Sequence, residues 1–174
     1  MKTFFATAAL AATASAAMTG EEIGELVAGI FYGIGVDSSL DDFSHCMSDG
    51  YVIEQDVADA IAQFEHGGTF HITKGVRDLI DVVHHFPEAF HGCTHMFDDI
   101  AAIADWTAQV AHPAELKQKI EKNTALHILK LKKDITALKS EMAANEYFKA
   151  GETIGEILTI ELGKVPLANS AEEN

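Results

Sequence analysis

The chain has 174 residues, of which 48% are hydrophobic, and carries a formal net charge of −15 at pH 7. This length suits one domain that buries roughly two thirds of the surface of its unfolded chain. The acidic balance argues against nucleic acid and against anionic lipid surfaces as partners, because both require clustered cations.

The N-terminus has the features of a secretory signal peptide. Lys2 supplies the positive charge, an apolar run follows from Phe4 to Ala12, and Ala14-Ser15-Ala16 is a small-residue cleavage signal. A membrane anchor is disfavoured because the run has about half of the roughly 20 apolar residues that a spanning helix needs. We therefore predict a protein secreted to the extracellular space or a secretory lumen, with a signal peptide at 1–16, a folded domain at 17–165 and a flexible acidic tail at 166–174.

Two helices are predicted in the first part of the domain. Thr19-Gly-Glu-Glu22 is a capping-box pattern ahead of an apolar helical face, which predicts a helix to about Tyr32. From Phe43 to Phe64, apolar residues recur at alternating steps of three and four. This pattern predicts a second helix that ends at Gly67-Gly68.

A third apolar series with the same spacing runs from Ile72 to Ile100, straight through Pro87. Proline inside a helix removes a hydrogen bond and clashes with the preceding turn. We therefore expect the third helix to be kinked at Pro87, or broken there with a new helix that begins near this proline.

Two more helices are expected after His112-Pro113. The first has one apolar stripe that ends near Met142, without glycine or proline, and the last runs from about Glu146 to Leu162. Gly151 and Gly155 lie on one face of the last helix, so a neighbouring helix can approach its backbone closely. With no strand-like alternation elsewhere, the predicted class is an all-α, single-domain bundle of about five helices.

Positive charge is concentrated in the long helix. Residues 113–145 contain seven lysines and four acids, which gives +3, while the rest of the chain after the leader carries −19. The lysines can face acidic helices of the same bundle, or they can meet an acidic surface of another copy, such as Glu54, Asp56 and Asp59.

Cys46 and Cys93, 47 positions apart, both lie on the predicted core seams of their helices. In a secreted chain this favours a disulfide, which the chain-entropy account values at roughly 4 kcal/mol. Two buried thiols are the alternative. A nucleophilic cysteine is disfavoured because the adjacent His45 and His95 point in other directions on a helix.

Histidines near Pro87 form a second candidate site. The spacing places His84, Glu88, His91 and His95 on one outward face, with His85 also outward, and such a face can bind zinc, nickel or copper. Exposed faces usually lack the outer partners that real sites need, so a metal is the alternative prediction. Titration of the nine histidines offers a second use, a response to pH.

Sequence signatures of enzymes are absent. The chain contains no G-x-S-x-G, Walker A, G-x-G-x-x-G or H-E-x-x-H motif, and its single arginine offers little means of clamping phosphate. We predict no enzymatic activity, no catalytic residues and no resident cofactor.

Several segments together resemble a family of small secreted all-helical proteins with two cysteines that is common in ciliates and other protists. They are FSHCMSDGYVIEQDVADAIAQFEHGGTFH, a helix reaching Cys93, Asp-Ile-Ala-Ala-Ile, His112-Pro113 and NEYFKAGETIGEIL, within residues 20–162. The lysine-rich helix and the density of histidine depart from that family. The resemblance implies the compartment and the fold, and it implies no activity and no catalytic residue.

Two functions are consistent with these observations. The first is a secreted non-enzymatic protein that acts by protein-protein binding or self-association through its helix faces. The alternative is a secreted binding protein, either for a metal ion on the histidine face or for a small apolar ligand inside the bundle.

The cysteine pattern generates the first prediction. The secreted protein should contain a Cys46–Cys93 disulfide bond. Its intact mass should therefore rise by the mass of about two hydrogen atoms on reduction. Recovery of two alkylatable thiols from the native, unreduced protein would contradict it.

Overall fold

The computed structural model describes residues 18–36, 51–86, 103, 105, 106, 108 and 113–166. These residues form five helices and, within the described ranges, no strand, which confirms the predicted all-α class. The predicted signal peptide, most of the tail, both cysteines and Pro87 lie outside the described residues. The helices are α1 (Gly20–Gly33), α2 (Tyr51–His66), α3 (Gly68–His84), α4 (Pro113–Ala143) and α5 (Tyr147–Leu162).

Helix α1 begins with the predicted capping box. The Thr19 hydroxyl accepts a hydrogen bond from the backbone N–H of Glu22 at 3.3 Å, and the Glu22 carboxylate accepts one from the Thr19 N–H at 2.6 Å. Each bond satisfies a backbone donor that the helix itself leaves open. Hydrogen bonding by the Thr19 backbone also lowers the pKa of the Glu22 carboxyl.

Helices α2 and α3 form a hairpin whose turn is Gly67-Gly68. Both glycines have positive φ, at 65° and 77°, a conformation that other residues rarely adopt. The predicted end of the second helix is therefore confirmed. Helix α3 ends at His84, three residues before Pro87, and Phe86 is the last described residue of this segment.

Helix α5 lies at the centre of the described packing. It contacts α1 most extensively, packs along α4, and also meets α3, while α2 packs mainly on α3. Phe31 of α1 stacks on Phe86 at 5.2 Å between ring centres, which ties the hairpin to α1. One apolar core results, and its largest fully buried side chains are Phe31, Phe86, Leu26, Ile30, Ile53, Leu79, Ile80, Ile103, Ile120 and Leu131.

Four glycines set the distance between α1 and α5. A Cβ atom on Gly151 would lie 2.0 Å from the carbonyl oxygen of Leu26, and one on Gly29 would lie 2.0 Å from that of Phe148. Gly33 and Gly155 meet in the same way one turn further along. The expected close approach at Gly151 and Gly155 is confirmed, and the partner is the matching Gly29-x-x-x-Gly33 pair of α1.

Helix α4 contains a distortion that the sequence pattern did not predict. His127 has φ −113° and ψ 17°, outside helical values, although no proline or glycine is near. The apolar stripe of α4 advances by three successive steps of four residues up to Ile128, and such steps drift around a helix of 3.6 residues per turn. We attribute the distortion to this drift, because the stripe returns to the core at Leu131.

The glycine crossing generates the second prediction. Gly151→Ala should lower the free energy of unfolding by about 1–3 kcal/mol, since the new methyl group forces two packed backbones apart. The control is Gly20→Ala, where a Cβ meets nothing within 4 Å. Denaturant unfolding of both variants is the measurement, and equal midpoints would contradict the proposed packing constraint.

Candidate interaction surfaces

The structure describes only part of the two sites predicted from the sequence. His84, the last residue of α3, is exposed, and its ring centre lies 6.0 Å from that of His85. The remaining members, namely Glu88, His91, His95, Cys46 and Cys93, lie outside the described residues, so the metal face and the disulfide stay predictions.

His85 has a neighbour that its assigned outward position did not anticipate. Its Nε2 lies 3.5 Å from Oδ2 of Asp56 on α2, within ion-pair distance, although this oxygen makes no hydrogen bond among the described residues. The side chain of His85 remains 38% exposed, so this contact is a weak pair at the protein surface.

Asp56 belongs to a group of four aspartates, the aspartate cluster, shared between α2 and α3. Asp59 completes the α2 side, and Asp78 and Asp81 lie on α3. Burial raises the pKa of Asp78 to about 6; Lys74 opposes this shift, while Asp81, Asp59 and Asp56 add to it. Burial also raises the pKa of Asp56, against the attraction of His85. The cluster therefore loses negative charge under mildly acidic conditions.

The outer face of α4 carries two leucines that the core does not use. Leu126 is 66% exposed and Leu129 is 81% exposed, one on each side of the distortion at His127. Lys122 and Lys133, both exposed, precede and follow them by four residues. We call these four residues the outer ridge. Two leucines that are this exposed form a candidate docking surface, because a partner would remove both from water.

Other lysines of α4 face the protein's own acids. Lys130 donates to Asp134 at 2.8 Å and to Glu156 of α5 at 2.7 Å, and these two bonds raise the pKa of Lys130 although burial alone would lower it. Lys119 donates to the carbonyl of Leu162 at 2.7 Å, where a cation complements the C-terminal end of α5. Lys130 therefore faces acids of its own bundle, whereas contact between the exposed lysines and another copy stays a prediction.

A buried carboxylic acid lies between α4 and α5. The Glu161 side chain is fully buried, and its Oε1 accepts a hydrogen bond from the Thr124 hydroxyl at 2.8 Å. Its Oε2 has no hydrogen-bond partner among the described residues. Burial raises the pKa of Glu161 from 4.5 to about 7, against the opposing effect of the Thr124 hydrogen bond.

Sequence reasoning missed the outer ridge and Glu161, although both leave a signal. Leu126 and Leu129 are apolar, but they lie outside the core stripe of α4. Large apolar residues away from the core face of a helix are the signal. Glu161 follows Ile154 and Leu158 by seven and three residues, so a charged residue occupies a core position of α5.

The chain belongs to the SctB-like family, described as Secreted protein B-like, on a match that spans residues 8–162. Comparisons with curated proteins and with solved structures give no match. The protein is therefore a member of a family of secreted proteins, whereas the protist distribution and the two-cysteine pattern expected from the sequence stay predictions. None of the helices in the described ranges is long and apolar enough to cross a membrane.

The buried acid generates the third prediction. The pKa of Glu161 is raised in the folded state, so the folded protein holds this proton more tightly than the unfolded chain does. The resulting contribution to the free energy of unfolding is complete below about pH 4.5 and is lost as the pH rises through about 7. The difference amounts to about 3 kcal/mol. In Glu161→Gln the fall in stability over this pH range should be smaller by about that amount.

The measurement is denaturant unfolding at several pH values between 4 and 8. Glu156→Gln is the matched control, because Glu156 is exposed on the same helix and bonds to Lys130. Wild type and Glu161→Gln with parallel pH profiles would contradict the assignment.

Proposed function

We propose that this secreted protein is non-enzymatic and acts by binding protein surfaces through the outer ridge of α4. The observation that carries the proposal is the exposure of Leu126 and Leu129 between Lys122 and Lys133. Exposed leucines contribute nothing to the fold, whereas they gain free energy when a partner removes them from water.

The flanking charges specify the chemistry of the partner. Lysines around an apolar centre favour a surface that is acidic at its rim and apolar between the acids, because opposite charges steer association and reject other surfaces. In this strongly acidic chain, a second copy supplies such a surface. On α2, Val52 is 38% exposed and lies on the same helical side as Asp56 and Asp59, four and seven residues further on.

A second copy is therefore the proposed partner, with the outer ridge of one protomer on the α2 side of the aspartate cluster of the next. These are two different patches of the molecule, so the contact is heterologous rather than a symmetric pair. Such contacts continue from copy to copy unless they close into a ring. The proposed assembly thus grows with protein concentration.

The fourth prediction tests this contact by sedimentation across protein concentration. Association of the wild type should weaken as salt rises, because the Debye length falls to about 3 Å at 1 M salt. It should also weaken as the pH falls, because burial raises the pKa of Asp56, and this carboxylate at the contact becomes neutral at a higher pH than an exposed aspartate does. Leu126→Ser with Leu129→Ser should abolish association, whereas Phe70→Ser should not, although Phe70 is 75% exposed.

Charge exchange separates this contact from general stickiness. Lys122→Glu with Lys133→Glu should stop association, and mixing this variant with an Asp56→Lys, Asp59→Lys chain should restore it between the two chains. Lys149→Glu, an exposed lysine of α5, is the control. A wild type that stays monomeric at high concentration and low salt would overturn self-association, and unchanged assembly in the leucine variant would overturn the role of the ridge.

A further inference from the structure

Two histidines meet at the turn between α2 and α3. His66 is the last residue of α2, His71 lies in the first turns of α3, and their ring centres are 5.0 Å apart. The backbone between them is set by Gly67 and Gly68 at positive φ. The pair is therefore held by the geometry of a tight hairpin, at the opposite end of α3 from His84 and His85.

A third side chain orients one of these rings. Nδ1 of His71 lies 3.1 Å from Oε1 of Gln63, which is on the same hairpin. An amide oxygen accepts hydrogen bonds, so this contact favours the tautomer with the proton on Nδ1, in which Nε2 has a free lone pair. A hydrogen bond at one ring nitrogen that leaves the other free to bind is the outer-partner arrangement typical of metal-ligating histidine.

The separation of the rings agrees with shared coordination. A metal ion bonded to one nitrogen of each ring at about 2 Å lies about 3 Å from both ring centres, and a tetrahedral angle then separates the centres by about 5 Å. The surroundings permit entry, because His66 is exposed while the partly buried His71 is held in place. Rings that only pack against each other also lie at such distances, so the Gln63 contact is the observation that favours a metal.

We propose that His66 and His71 form a two-histidine site for a late first-row divalent cation, with zinc, copper and nickel as the class that imidazole nitrogen prefers. Among the described residues no group of three or more histidine, cysteine and acidic side chains is arranged to hold a metal. Water or an external donor can fill the other coordination positions. The site is distinct from the predicted face at His84, Glu88, His91 and His95.

The experiment uses the full chain and Zn²⁺ alone, in calorimetric titration and in NMR of the histidine ring nitrogens. The rings of His66 and His71 should shift together with the first equivalent of zinc. His66→Ala and His71→Ala should each lose one zinc equivalent relative to the wild type, whatever other histidines bind. Gln63→Leu should keep that equivalent but weaken it by about 10- to 100-fold, the usual effect of removing an outer partner.

His127→Ala is the matched control, because His127 is exposed on α4, and it should leave the first equivalent unchanged. Acidification should release the ion, since protons compete for the same nitrogens. The site would be overturned if both alanine variants bound zinc with wild-type stoichiometry and affinity. It would also be overturned if the ring signals of His66 and His71 did not move with zinc, which would leave a pair of packed rings. The wild-type NMR signals decide the question even if a variant is unstable.

Discussion

The close approach of α1 and α5 is the constraint on which the rest of the described structure depends. Gly29, Gly33, Gly151 and Gly155 let two backbones meet where any Cβ atom would collide with a carbonyl or Cα atom. Close packing of this kind gains many small dispersion contacts without ordering a long side chain. It also fixes α5 in the centre, where α4 and α3 pack on its remaining surface.

The helices themselves were largely predictable from local chemistry. Thr19 and Glu22 satisfy open backbone donors, Gly67 and Gly68 supply positive φ, and Asn145, with φ 58°, turns the chain from α4 into α5. Each of these features acts within a few residues, so spacing alone reveals it. The expected close approach at Gly151 followed from the same reasoning.

Features that depend on contacts between distant segments were not predictable. The partner of the Gly151 face was not identified, although α1 carries a matching glycine pair, because sequence spacing does not say which helices meet. His127 was expected to be helical, and His85 was placed outward without its neighbour Asp56. His66 and His71 are five positions apart but lie on different helices, so no single helical register pairs them. Only the hairpin turn brings the two rings together.

The fold and the proposed activities divide the molecule into an inner and an outer part. Helices α1 and α5 hold the core, whereas the outer ridge, the aspartate cluster and the two-histidine turn lie on α2, α3 and the far side of α4. Glu161 links the two parts, because its burial between α4 and α5 makes their contact sensitive to pH near neutrality. Surfaces used for binding can therefore vary without disturbing the glycine crossing.

Native-state hydrogen exchange tests the central role of the α1 and α5 contact most directly. Backbone amides in the middle of both helices should exchange only through global unfolding, with the highest protection of the chain, while amides around His127 exchange through local opening. The result that would contradict this account is a free energy of opening in α1 or α5 well below that of global unfolding, together with a more protected α2 and α3 hairpin.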